Sequence, residues 1–510
     1  MSIHKLGFWL IIFCLILSAC QSEQPLTSIE AATIVSAITD TPTITWTPRP
    51  TRMITPTITP TPPPYPLSEN GPWLLVKNSN NQFLIRDLNG KGINYSSLPS
   101  VESPLYRNDF LISPNGRHFA VVIENPPDDE GNPVMGDFNN QIWIIQLPTL
   151  EIVEKIRLVS EEYKDLLEEN NVLLDGYLRE SSKGWSHNGR FFAFTAILEN
   201  GLSAIYLYDT QTDTIFPGVN TTKHTAFVEW SPDSDLFVFN QYNDDMSEFG
   251  FGGLNHNVWV SNLEQDTRFI YQPEVDGDTL LNWLDNTTIL VSGAGIEPPL
   301  FRMRAYDLGT GQMEVVYDDF FCSFAVSPSQ NIFLITKCLI GEFDVNPVTF
   351  IYNAEDETTT FVAEGMSFFP VWVEAQKMFI APLEKQLGED QFDHHIIAVD
   401  PQGSVKFTIN DVARFEVSED GNYFLLQKTD GAYALYSSEG ELINKNFTEG
   451  KARWSPDSRS IFVFPQKQQI YQCLLYRYDK ENDWAENSFS VPLRDCEWME
   501  IIQPKVLDEE

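Results

Sequence analysis

Hydrophobic and polar positions along this chain recur in one pattern. A short aliphatic or aromatic stretch leads into a polar corner, and an apolar run follows at once. "VEWSPDSDLFVFN" (228–240) is written again as "ARWSPDSRSIFVF" (452–464). The corner returns at Ser113, Ser186, Ser231, Ser327, Ser418 and Ser455, and without its serine beside Trp283 and Trp372. These eight occurrences are mostly 37 to 53 residues apart, with one interval of 73. Pro at the second corner position fixes φ, and Asp, Asn, Ser and Gly serve the remaining corners of a tight turn. The apolar run suits a strand buried on both faces. Each unit therefore begins as a β-hairpin, strands a and b. A third strand follows, as in "SAIYLYDT", "NVWVSNL" and "YALYSSEG", and its polar end turns into a fourth.

Four strands per unit, repeated at a period in the forties, predict an all-β fold, a β-propeller of four-stranded antiparallel blades. The recurring Ser-Pro-Asp hairpin resembles the repeat of TolB-type propellers, relatives in shape of the WD-repeat propellers. The resemblance runs over nearly all of residues 72 to 502 and departs from the pattern at Leu284 and Val373, where serine and proline are missing. Near residues 73 to 90, "WLLVK" and "QFLIRDLNG" read as strands b and c with no leading a, and "CEWMEIIQ" (496–503) reads as an a strand with no followers. Pairing them completes one sheet from both ends of the chain. A strict count gives nine blades; nine is rare, so the reading settles on eight, with seven to nine open.

Ahead of the repeats, the apolar run from Leu6 to Leu17 after Lys5 has the form of a secretory signal and is shorter than the roughly 20 residues of a spanning helix. Leu17-Ser18-Ala19-Cys20 resembles the lipobox of bacterial lipoproteins. The resemblance implies removal of residues 1–19 as a signal peptide and lipidation of Cys20. The expected location is then the cell membrane, with the protein lipid-anchored on the extracytoplasmic face. Residues 20–70 hold the lipidated Cys20 and a Thr/Pro-rich stretch, "TDTPTITWTPRPTRMITPTITPTPPPYP", that suits an extended spacer near the polyproline II form. Residues 71–510 form the propeller domain, with a helical insertion near 161–180.

Composition changes the picture in one respect. A net charge of −39 over 510 residues argues against nucleic acid and anionic lipid as partners, because both depend on cationic contacts. The membrane is reached by the lipid anchor only. Cys322, Cys338, Cys473 and Cys496 remain after processing; an even count in an exported chain suggests disulfides, with three connectivities open. The long insertions at 124–141, 240–257, 337–348 and 383–395 all join strands b and c, and strand order sends them, with 161–180, to one face. That face carries the candidate binding residues Asp128, Asp129, Asp244, Asp245, Phe249, Phe251 and Phe392. Insertions clustered on one face of a repeat protein commonly form its binding surface. Oxygen-rich loops can hold calcium, yet none matches a calcium-loop motif, so no cofactor is assigned. His394 and His395, beside Asp393, fall short of a metal ligand set. Neither a GxSxG elbow nor a phosphate loop occurs. The expected function is a binding or scaffolding module for a protein, peptide or envelope glycan through the long-loop face. The alternative is a propeller enzyme, a glycan hydrolase or lyase, with acidic residues at the central channel.

Overall fold

The computed structural model describes residues 66–504 apart from 79–81, 89–91, 98–109, 124–139, 164–182, 199–201, 243–255, 273–278, 293–302, 320, 328–330, 338–346, 389–390, 446, 448–449, 456, 466–472 and 492–495. All of these belong to the compact unit Pro63–Glu510. Among the described residues, the strands assemble into nine antiparallel sheets, the blades of a propeller ring. Blades 2 to 9 follow one another along the chain, over 110–157, 183–217, 225–271, 279–317, 323–364, 366–410, 412–444 and 450–491. Blade 1 is built from both ends. Trp73–Asn78, Gln82–Asp87 and Ile93–Ser97 supply strands b, c and d, and Cys496–Ile502 pairs with Trp73–Asn78 as strand a. The register places Trp73 opposite Ile502 and Lys77 opposite Trp498. Nine, the strict count, is thus the observed number rather than eight, and the two units without serine, blades 5 and 7, are complete sheets.

Burial orders the strands from hub to rim. A b strand such as Phe191–Ala196 is buried throughout, whereas the d strand of the same blade, Thr214–Pro217, is almost wholly exposed. Inner strands of neighbouring blades touch, as Lys183–Trp185 does Thr225–Trp230. Both faces of a blade are covered by its neighbours. Trp73, Phe119 and Ile502 fill the seam of blades 1 and 2, and Phe191, Phe227 and Trp230 that of blades 3 and 4. Leu425, Ile461 and Tyr478 fill that of blades 8 and 9. Each fully buried side chain of this size contributes about 1.5–3 kcal/mol, so the ring is held mainly by its seams.

The recurring motif has a double role. Within the hairpin, Ser231 Oγ donates to the Asp233 carboxylate (2.6 Å) and accepts from the Leu236 N–H (3.0 Å), and the Ser234 N–H closes the turn on the Ser231 carbonyl (2.9 Å). The same bonds recur around Ser113, Ser186, Ser418 and Ser455. The residue that ends each turn is left-handed, with φ between 57° and 72° at Gly116, Gly189, Ser234, Gly421 and Ser458. Between blades, the motif clasps. Asn115 Nδ2 donates to the Gly189 carbonyl (2.9 Å), and the Asn188 N–H to Ser234 Oγ (3.0 Å). The tryptophan before the serine does likewise at the hub: Trp185 Nε1 donates to the Leu111 carbonyl (2.8 Å) and Trp230 Nε1 to the Gly184 carbonyl (3.0 Å).

Candidate functional site

Among the described residues, blade 7 departs from the other eight. Its inner strand is broken in two: Met366–Ser367 and Val371–Val373 both pair with Met378–Gly388. Ser367 lies opposite Leu383 and Val371 opposite Ile380, so four steps on one strand match three on the other. One extra residue is the definition of a β-bulge, which re-aims a side chain and interrupts pairing. Pro370 within it has no N–H to give to the ladder. Blades 4, 5 and 8 carry a one-residue bulge in the inner strand too. What sets blade 7 apart is the break of the strand at 368–370, where Phe369 is 87% exposed with a left-handed φ of 50°. A bulky residue in that conformation costs about 1–3 kcal/mol, and such strain concentrates at functional positions.

Below the bulge the strand enters a turn that replaces the serine corner. Glu374–Gln376 forms one 3-10 turn ended by left-handed Lys377. Trp372 Nε1 donates to the Glu374 carboxylate (2.5 Å), and Lys377 Nζ pairs with the same group. Lys377 first, and the Trp372 indole next, hold the Glu374 carboxyl below the usual carboxylate range. Across the seam stands the blade 8 turn. Gly421 there is left-handed, and a Cβ on it would lie 2.9 Å from Ala375 Cβ and 3.0 Å from Val373 Cγ1, so glycine is what lets the two turns meet. Gln376 Nε2 donates to Asn422 Oδ1 (3.1 Å). Between the turns and the inner strands opens a cleft of about 480 Å³. Its walls are Phe369, Val371 and Trp372 of blade 7 with Phe415 and Val417 of blade 8, and Glu374 and Glu419 stand among its lining.

Above the bulge, the stretch 383–395 expected as a loop is a continuation of the sheet. Met378–Gly388 and Gln391–Val399 pair along their whole length to Gly388 opposite Gln391, making a ribbon. Its sequence is polar because both faces of the ribbon meet solvent, and that polarity disguised it. Phe392 is therefore a strand residue, 48% exposed, near Leu387, which is 63% exposed. His394 and His395 occupy opposite faces, as successive strand residues must. His394 Nδ1 lies 3.3 Å from Glu384 and His395 Nδ1 3.4 Å from Asp393, so the two rings do not converge on one site.

The exposed large apolar residues sort cleanly among the described residues. Phe368, Phe369, Val371, Leu387 and Phe392 belong to the inner strand and ribbon of blade 7. The others, such as Phe269 and Phe361, sit on the outermost strands of their blades. The remaining expected binding residues, Asp128, Asp129, Asp244, Asp245, Phe249 and Phe251, lie outside the described residues, as do Cys20, Cys338 and all of the 161–180 insertion past the helical turn 161–163. Cys322 is disulfide-bonded. Cys473 and Cys496 open strands whose side chains there are not described. Among the described residues no three metal-ligating side chains converge. At the hub, burial raises the carboxyl of Glu229 on the inner strand of blade 4, while Glu416 of blade 8 is paired with Arg453 of blade 9 (2.6 Å). The sequence reading missed the break in this strand; its available signal was Pro370 inside an apolar run, next to one of the two corners that lost both serine and proline with tryptophan intact.

No family model matches the chain, and no curated protein matches it. Among solved structures, the chain is similar to a eukaryotic initiation factor, at 13% identity and a TM-score of 0.53, covering 86% of this chain and 100% of that one. It is also similar to a putative TolB from Agrobacterium tumefaciens, at 13% identity and a TM-score of 0.30, covering 58% of this chain and 89% of that one. A third likeness is to the Dos1 propeller, at 13% identity and a TM-score of 0.39, covering 70% and 90%. At such identities the likeness is one of fold: an all-β, nine-bladed propeller whose structural neighbours include TolB and other propeller proteins.

Proposed function

We propose that the protein is a lipid-anchored, extracytoplasmic binding module that holds a protein or peptide partner through blade 7. The observation that carries the reading is that, among the described residues, exposed apolar side chains away from the rim concentrate on the blade with a broken inner strand and an extended ribbon. Burying a Phe or Leu side chain fully is worth about 1.5–3 kcal/mol, and off-rim residues left in water in a folded domain mark interaction sites. The ribbon joins strands b and c, so it projects from the face on which the sequence collects its long insertions. The signal-like start, the lipobox-like Leu17-Ser18-Ala19-Cys20 and the Thr/Pro spacer support an anchored, extracytoplasmic setting. The rival reading, a glycan hydrolase or lyase in the channel, has Glu229 in its favour as a carboxyl that burial pushes above the usual carboxylate range.

The test is photo-cross-linking in intact cells carrying the full-length protein. A photoreactive residue at position 387 or 392 is expected to capture one recurring partner that the same residue at rim position 361 does not. Equal capture from all three positions, or none from 387 and 392, would refute the assignment.

A further inference from the structure

We propose that the cleft between blades 7 and 8 receives an apolar or aromatic side chain of a basic peptide, whose lysine or arginine neighbours lie against Glu374 and Glu419. The inference rests on the binding-module reading and names the chemistry of the partner. Three features of the cleft point the same way.

The first is Phe369 itself. Phe227 occupies the matching register in blade 4, four residues before the position of the turn serine, and there it is 3% exposed and part of the seam. Blade 4 carries the same one-residue bulge and keeps Phe227 buried, whereas in blade 7 the backbone turns left-handed at Phe369, beside Pro370, and the ring stands 87% exposed on the cleft wall. A ring placed in water by a strained backbone gains its burial only when something covers it. The second is size. A volume of about 480 Å³ falls within the roughly 300–1,000 Å³ of pockets that enclose small ligands, ample for one large side chain and too small for a folded surface. Aromatic anchors in such pockets dominate the energetics of protein interfaces.

The third is charge. Glu374 and Glu419 are the charged residues of the lining, both acidic, on a chain of net charge −39. Glu374 is already engaged by Lys377 and Trp372, so Glu419 supplies the more available carboxylate. The rings of Phe369 and Trp372 add faces that attract a cation within about 6 Å. An acidic peptide meets repulsion at each of these points, and an uncharged apolar one brings no cation to Glu419.

The probe is a fluorescein-labelled peptide, Gly-Lys-Arg-Phe-Lys-Arg-Gly, titrated by fluorescence anisotropy with the full chain. Binding is expected to weaken at least tenfold when alanine replaces the peptide's phenylalanine, and equally when glutamates replace its basic residues. Phe369→Ser and Ala375→Trp, both at exposed positions, are each expected to weaken binding at least tenfold. Glu419→Lys is expected to weaken it about fivefold and to flatten its salt dependence, while the rim variant Phe361→Ser leaves it unchanged. Absence of binding to the wild-type chain, or binding kept by Phe369→Ser and Ala375→Trp when both retain the wild-type circular dichroism, would overturn the cleft assignment. Cross-links from positions 387 and 392 are read independently: their persistence beside a silent cleft fails this inference alone, and their absence fails the module reading.

Discussion

Two serines at matching places in the repeat should respond oppositely to the same substitution. Ser231 and Ser327 are both fully buried. Ser231 Oγ accepts from the Leu236 N–H at 3.0 Å and donates to the Asp233 carboxylate at 2.6 Å. Ser327 stands before a corner with serine in place of that Asp, and its Oγ is buried with no hydrogen-bond partner among the described residues. Ser231→Ala removes a hydrogen bond of about 1 kcal/mol and leaves the Leu236 N–H unpaired, at about 1–3 kcal/mol more. The donation to Asp233 adds little, because that carboxylate is exposed. The expected loss is about 2 kcal/mol, which corresponds to roughly thirtyfold faster hydrogen exchange at the Leu236 amide. Ser327→Ala removes a hydroxyl that is desolvated without return, so stability is expected to hold or to rise by up to about 1 kcal/mol. Exchange measured by mass spectrometry on blades 4 and 6, with the thermal midpoint alongside, reads both. Equal costs at the two positions, or an unchanged Leu236 amide in Ser231→Ala, would refute the claim that the turn network stabilises the repeat.

Further expectations follow from the same contacts. Burial alone would raise the Asp209 carboxyl, but the Arg190 guanidinium and the Gln211 N–H hold it below the usual range. Its folded pKa is the lower one, so the stability it contributes is complete above the unfolded value near 4 and is lost as pH falls through the folded value; Arg190→Gln should flatten acid unfolding below about pH 4. Gly189→Ala places a Cβ 2.6 Å from Asn115 Cγ at a φ of 72°, and is expected to cost at least about 2 kcal/mol. Part of that cost should disappear in the Gly189→Ala/Asn115→Ala double variant, as measured by a double-mutant cycle in urea. Cys20→Ser is expected to abolish metabolic fatty-acid labelling and move the protein to the soluble fraction; retained labelling would place the lipid elsewhere.

The blades were legible because the hairpin rests on local chemistry: a corner residue sequence and the apolar run after it. Even blades 5 and 7, without serine, kept that run, and in blade 5 Asp285 takes over the corner by accepting from the Thr287 and Thr288 N–H groups (2.7 Å each). The union of Trp73–Asn78 with Cys496–Ile502 was also legible, since each end displayed the strands that the other lacked. Outer strands such as Thr214–Pro217 carry little apolar signal because little of them is covered. The candidate site was harder to read for a different reason. The left-handed turn at Phe369 leaves an apolar run looking apolar, and the break it makes in the strand is seen only against the partner residues Ile380 and Leu383. The clasp of Asn115 on Gly189, 74 residues away, likewise has no local signature.

The union of the two ends also sets when the protein can exist as a folded object. Trp73–Asn78 is fully buried once the ring has closed. Until residues 496–502 have emerged, this strand has a bare hydrogen-bonding edge and uncovered apolar faces, the usual template for misassociation. Every blade between them can form beforehand, so the slowest contact to make is also the one that certifies the rest. A chain cut short before Cys496 would be nearly all propeller and yet would advertise its incompleteness through one strand, which gives proteases and chaperones a simple mark by which to tell finished copies from unfinished ones.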